Sequence, residues 1–219
     1  MRVAQLLVGE EAAEQSIAQQ CLTIVVGCTL YGGTVGIWRA PLQACYTALK
    51  IPLLIFLTCG ANALLNRILA QLLGSGLSFK QTAAAILKSF ATAAMILGSL
   101  SPVTLFVWWN APPLESPNAV VGHSVMLLVH VFVIACAGVL ASHQLLGLLV
   151  KRIGDTAVAQ RVLFSWLAGN LFLGAQLAWN LRPFIGSPSL AVQFVRPDPL
   201  RGNFYEAVWH ALHHVISQN

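Results

Sequence analysis

The chain has 219 residues, of which 57% are hydrophobic and 9% charged, with a formal net charge of +5. Soluble domains carry roughly a quarter charged residues, so this composition excludes an ordinary water-soluble core and points to one membrane domain, where lipid covers apolar surface. The twelve basic residues are spread between apolar runs; without a basic helix or an aromatic-basic motif they match loops facing anionic lipid, not a nucleic-acid surface.

Residues 1–20 form a polar N-terminal segment holding Glu10, Glu11 and Glu14. Its weak apolar periodicity through Val3, Leu6, Leu7, Ala13 and Ile17 suits a surface-lying helix, and no cleavable signal is expected there. Cys21 to Trp38 is the first expected span. Gly32 and Gly36 have the G-x-x-x-G spacing that lets two helix backbones touch, within the chain or at a homodimer seam. Arg39 to Lys50 reads as an interfacial connection. Lys50-Ile51-Pro52 then launches a second span, to about Leu73, because proline is tolerated in a first helical turn. Asn62, Asn66 and Arg67 lie on it. A charge at the bilayer centre is costly, so Arg67 is expected to face a protein partner, a wet cavity or the membrane edge, with the edge favoured because Gly74 and Ser75 end the helix soon after.

A tight turn from Gly74 to Lys80 leads to the third span, Ala83 to Trp109, with a kink expected at Ser99 to Pro102 where proline removes a backbone hydrogen bond. The loop 111–118 carries no lysine or arginine. The run Ala119 to Val150 exceeds one crossing, and its span is placed at Val125 to Leu146. The fifth span runs from Leu163 to Trp179 and stops near Arg182, since Pro183 disfavours helix before it. Arg182 is expected to extend its charge into water. After an extended, proline-interrupted stretch, Asn203 caps a terminal amphipathic helix to Ser217, with Glu206 three residues on. The fold class is therefore all-α: a bundle of about five transmembrane helices over residues 21–186, then an interfacial tail and amphipathic helix over 187–219. With the amino terminus inside, Lys80, Lys151, Arg152 and Arg161 face the cytoplasm as the positive-inside tendency asks. Arg39, Lys50, Arg182, Arg196 and Arg201 then lie outside and oppose it.

The chemistry-bearing residues do not assemble into a catalytic pattern. Cys21, Cys28, Cys45, Cys59 and Cys136 form no C-x-x-C pair and read as small buried hydrophobes. His123 and His130 share a helix face, but no other span offers a histidine, so hydrogen bonding or interface placement is the reading and no haem or metal is expected. His210, His213 and His214 lack the glutamate of H-E-x-x-H and read as a polar helix face. The spans carry no Asp or Glu, no P-loop and no G-x-S-x-G, which argues against an enzyme and against a proton-coupled transporter.

Several blocks carry a resemblance: Tyr31-Gly32-Gly33, Ala48 to Leu54, Gly98 to Pro102, Gln176-Leu177-Ala178-Trp179, Arg182-Pro183-Phe184-Ile185-Gly186-Ser187-Pro188 and Asn203-Phe204-Tyr205-Glu206. Together they resemble a bacterial family of multi-spanning membrane proteins similar to the Yip1 domain group. The resemblance implies a five-helix bundle in a bacterial inner membrane and transfers no catalytic residue. The expected function is a non-catalytic scaffold, assembly factor or subunit of a larger membrane complex. Its docking ends would be Arg182, Pro183, Phe184, Gly186 and Pro188 with Asn203, Phe204 and Tyr205. The alternative is a homo-oligomeric channel or small-solute transporter using Asn62, Asn66, Arg67 and Pro102 as pore or gate. Expected partners are the lipid bilayer and other membrane subunits or further copies of the chain.

Overall fold

A computed structural model describes the backbone of residues 2–217 and the side chains of residues 17–217. The N-terminal periodicity from Val3 to Ala13 lies outside the described side chains. Among the described residues the fold is entirely helical: α1 (Arg2–Gly36), α2 (Pro41–Leu72), α3 (Phe79–Ser99), α4 (Ser101–Trp109), α5 (Ala119–Ile153), α6 (Thr156–Asn180) and α7 (Phe204–Ser217). Four of them, α2, α3, α5 and α6, are long and apolar enough to cross a membrane, as an integral membrane protein requires.

That is one fewer than the five expected. The run Cys21 to Trp38 is the one not among them: α1 ends at Gly36, and Gln19 and Gln20 precede Cys21, so the helix offers a shorter apolar stretch than its neighbours. Two further expectations change. Residues 41–50 are not a connection but the first turns of α2, so Pro52 lies inside a helix and does not start one. Side-chain bonds from these turns to residues 183 and 184 hold them helical and override the proline signal. The third span is two helices, broken at Leu100 where the Ser99–Pro102 kink was expected.

The helix ends follow local chemistry. Gly154 takes the left-handed conformation (φ 79°) that closes α5, and Asp155 then caps α6 by accepting from the amides of Ala157 and Val158 at 2.8 and 3.1 Å. Ser78 and Gln81 form a reciprocal capping box on α3. The connection after Gly36 sits beside the 110–118 loop, because Trp38 Nε1 donates to the carbonyl of Pro112 at 3.0 Å. This end of the bundle also receives the chain after α6. The opposite end holds the 73–78 turn and the α5–α6 hairpin, tied by Arg152 to the carbonyl of Gln81 at 3.0 Å.

At the centre, α1 packs against α2, α3 and α4. Its small residues allow backbone contact on two sides. A Cβ on Gly32 or Gly36 would lie 2.6 Å from the Thr47 carbonyl oxygen or 2.5 Å from that of Gln43; one on Gly27 would lie 2.2 Å from that of Ala94. Gly32 and Gly36 therefore face α2 of the same chain. Two buried clusters flank this arrangement. One gathers Ile24, Cys28, Tyr31 and Val35 of α1 with Ala91, Ala94, Leu97 and Met126. The other gathers Ala70, Ile86, Leu145, Leu149, Val162 and Trp166 near the 73–78 end. Large side chains such as Phe132, Phe164 and Phe172 face outward, where lipid is the solvent.

Candidate functional site

The chain's densest buried chemistry runs along one helix. Gln43, Thr47, Lys50, Thr58, Asn62 and Asn66 of α2 are all buried, spaced by threes and fours except where half-buried Leu54 bridges Lys50 and Thr58. They form a polar stripe that winds along a membrane-length helix, and α6 packs against α2. In apolar surroundings each group needs a partner, because an unmet buried donor or acceptor costs about 1–3 kcal/mol.

The first half of the stripe finds its partners in the chain after α6. Lys50 Nζ donates to the Pro183 carbonyl at 2.8 Å, and Gln43 Nε2 donates to the same oxygen at 2.9 Å and to that of Phe184 at 3.0 Å. Thr47 Oγ1 donates to the Phe184 carbonyl at 2.6 Å. Arg39, just before α2, donates to the carbonyls of Ser187 and Leu190 at 2.9 and 3.1 Å. The Lys50 ammonium also lies 4.9 Å from the Phe194 ring centre and 5.7 Å from that of Phe184. Gly186 has φ +87°, and a Cβ there would meet Arg39 Cγ at 2.7 Å, so this turn demands glycine on two counts. The Arg182–Pro183 peptide is cis.

Arg182 stays partly exposed, with its guanidinium held against the main chain. It folds back to donate to the carbonyls of Trp179, Asp198 and Pro199 at 2.9, 2.8 and 2.9 Å, with its guanidinium 3.9 Å from the Trp179 ring centre. Partial burial and nearby Arg196 draw the Arg182 guanidinium below its ordinary value, while Asp198 opposes them. Partial burial and Arg39 do the same to Arg196. This end therefore gathers Arg39, Lys50, Arg182 and Arg196 around main-chain oxygens.

No family model, curated protein or solved structure matches the chain. Its functional reading rests on its own residues.

The second half of the stripe is different. Asn62 and Asn66 are 0% exposed, and neither the oxygen nor the nitrogen of either carboxamide has a hydrogen-bond partner. Both face Gly169 of α6, and Trp166 Nε1 donates to the main-chain oxygen of Asn66 at 2.9 Å. Arg67 is half-buried near the end of α2. Pro102 is exposed on α4, which packs against α1, α3 and α5, so it does not join the asparagines.

The other expected docking residues sit at the start of α7. Asn203 Oδ1 caps this helix through the Glu206 amide at 2.9 Å, and Tyr205 Oη donates to the Leu171 carbonyl at 3.2 Å. A cleft of about 570 Å³ lies between α6 and α7, lined by Phe172, Gln176, Phe204, Tyr205, Trp209 and others. Of the histidines, His130 Nδ1 meets Tyr31 Oη at 2.9 Å across α5 and α1, whereas His123 lies beside the Trp38 ring. Among the described residues no group of three or more His, Cys, Asp or Glu is placed to hold a metal ion.

Sequence reasoning missed Gln43, Thr47 and Lys50. A signal was present: polar residues at i, i+4 and i+7 between two prolines are one helical face.

Proposed function

We propose that the protein is a non-catalytic integral membrane subunit, a scaffold or assembly factor whose 182–206 region forms a rigid platform at one end of a helix bundle. The observation that carries this reading is the clamp. Gln43, Thr47, Lys50 and Arg39 direct their donors to the main chain at residues 183–190 and thereby fix the shape of that end. Rigid, pre-shaped surfaces lose little conformational freedom on docking, which is what an assembly subunit needs. The exposed face around Tyr205, Trp209 and Leu200 supplies apolar contact area beside it.

In this reading the apolar half of α1 is a fifth crossing segment, the amino terminus faces the cytoplasm and the membrane is a bacterial inner membrane. Arg39, Arg182 and Arg196 at the platform end, which oppose that orientation by simple charge count, donate to main-chain oxygens, as Arg152 does at the other end. Lys80, Lys151, Arg152 and Arg161 are the orienting charges in this reading. Kinship with the Yip1 domain group belongs to the same proposal, carried by the sequence blocks alone.

Native mass spectrometry after gentle extraction from the source membrane tests the reading. A stoichiometric foreign subunit, lost when Tyr205 and Trp209 are replaced by serine, is the expected result; a closed ring of identical chains would overturn it.

The unpartnered Asn62 and Asn66 amides favour a second reading, a homo-oligomeric channel or small-solute transporter. It predicts liposome flux that Asn62→Leu with Asn66→Leu abolishes.

A further inference from the structure

The outer edge of the α3–α5 seam gathers basic side chains at the end of the bundle opposite the platform. Two hydrogen bonds fix how the helices lie along it. Thr92 Oγ1 donates to Gln144 Oε1 at 3.0 Å, and Arg152 donates to the Gln81 carbonyl at 3.0 Å. Lys88 stands four residues before Thr92 and seven after Gln81, so it shares their face of α3. Lys151 stands seven residues after Gln144 and adjoins Arg152, so it lines the facing edge of α5. Lys80 lies at the start of α3, and Lys80, Lys88, Lys151 and Arg152 are all exposed.

The antiparallel course of the two helices turns the lysines toward one another. A helical side chain leans toward its own N-terminus. Because α3 starts at this end, Lys88, about 10 Å deeper than Gln81, leans outward along the seam. Because α5 finishes at this end, Lys151 leans inward to meet it. Behind them Ala85, Leu145 and Leu149 are buried and close the seam with apolar atoms. Neither α3 nor α5 contains Asp or Glu. Asp155, on the turn beyond α5, is held in capping α6. Among the described residues none of the four cations has an acidic partner.

Two cations leaning together over an apolar wall call for an anion, and their position selects its kind. Both helices are long and apolar enough to cross a membrane, so the outer edge of their seam faces lipid. A phospholipid sets its phosphodiester at headgroup depth, where lysine stems extend their charge, and runs its acyl chains beside the helices. Gly147, one turn before Lys151, is exposed, and a Cβ there would meet nothing within 4 Å. That leaves the α5 surface open for a chain beneath the headgroup.

We propose that Lys88 and Lys151, flanked by Lys80 and Arg152, form a binding site for one anionic phospholipid on the α3–α5 edge. Its phosphodiester oxygens accept from both lysines and tie the two helices together. The site rests on α3 and α5 spanning the bilayer, and not on whether the chain is a scaffold or a conduit.

The test is native mass spectrometry of the full chain released from nanodiscs of equimolar phosphatidylglycerol and phosphatidylcholine. One phosphatidylglycerol should stay on the wild-type chain, and Lys88→Gln with Lys151→Gln should cut its occupancy roughly tenfold or more. Arg161→Gln with Arg201→Gln removes the same charge away from this edge and should keep the lipid. Equal losses in the two double variants would show diffuse attraction and overturn the site. Retention of phosphatidylcholine as strongly as phosphatidylglycerol would overturn it too. If the wild-type chain holds anionic lipid only after Glu10, Glu11 and Glu14 are replaced by glutamine, its own acids cover the edge and the proposal falls. Should the Lys88 and Lys151 variant fail to fold, the wild-type Tm decides: a bound lipid raises it with the phosphatidylglycerol share of the disc, and no rise rejects the site.

Discussion

The clamp on residues 183 and 184 makes a quantitative prediction because its acceptors are shared. The Phe184 carbonyl accepts from both Gln43 and Thr47, and the Pro183 carbonyl from both Gln43 and Lys50. Removing Thr47 Oγ1 alone, by Thr47→Val, leaves the Phe184 oxygen bonded to Gln43, so the main loss is one ordinary hydrogen bond, about 0.5–1.5 kcal/mol, beside the long 3.3 Å bond that Oγ1 accepts from Gln43 Nε2. Gln43→Leu alone likewise orphans neither carbonyl, and it removes an amide oxygen that has no partner of its own. Its cost is therefore also about 1 kcal/mol. The double variant strips both donors from the Phe184 carbonyl and adds the penalty of an unmet acceptor. Phe184 is half-buried, so the penalty falls in the lower part of the range; the long Gln43-to-Thr47 bond, lost in each single variant, offsets part of it and leaves a coupling of about 1 kcal/mol beyond the sum of the single effects. Reversible unfolding in bicelles of wild type, both single variants and the double variant measures this coupling directly. Additivity within about 0.5 kcal/mol would refute the shared-acceptor account, because independent sites add to that tolerance.

Four further outcomes follow from the packing and the helix capping. Gly27→Val forces the α1 backbone away from Ala94 and should destabilise by about 1–3 kcal/mol or more, as overpacking does. Gly33→Ala meets nothing within 4 Å and should be neutral or slightly stabilising in the same unfolding assay. Tyr31→Phe leaves buried His130 Nδ1 without its hydroxyl partner and should cost about 1–3 kcal/mol, most of which Tyr31→Phe combined with His130→Leu recovers in a thermal melt. Asn203→Ala removes the α7 cap and should cost about 0.5–2 kcal/mol locally, read as faster amide exchange in the first turn of that helix with little change elsewhere.

Much of the architecture was legible because apolar run length and punctuation act locally. The stop of α6 before Pro183, the break beside Pro102 and the Asn203 cap each follow from one residue's covalent or hydrogen-bonding properties. The start of α2 was not legible in the same way. Pro52 is a start signal by local rules, but Gln43, Thr47 and Lys50 gain partners more than 130 residues away, and that long-range gain extends the helix back to Pro41. The partners of Arg182 were hidden for the same reason: the carbonyls that hold it come from a loop that folds back over α6. The asparagines were visible as polar residues on an apolar helix. Their convergence on Gly169 was not, because it depends on how α2 and α6 pack.

The distance in sequence between the two halves of the clamp has a consequence for how the protein is made. Synthesis delivers α2 early, with its buried lysine and amides, and the carbonyls that receive them emerge only after α6 is complete. Until then α2 is a poor lipid-facing helix, since Lys and Asn each disfavour the hydrocarbon. Gln43, Thr47 and Lys50 therefore lack their final partners until residues 183 and 184 have been made. A chain cut before Pro183 leaves all three without these acceptors, so the α2 end is set only when the segment after α6 folds back onto it.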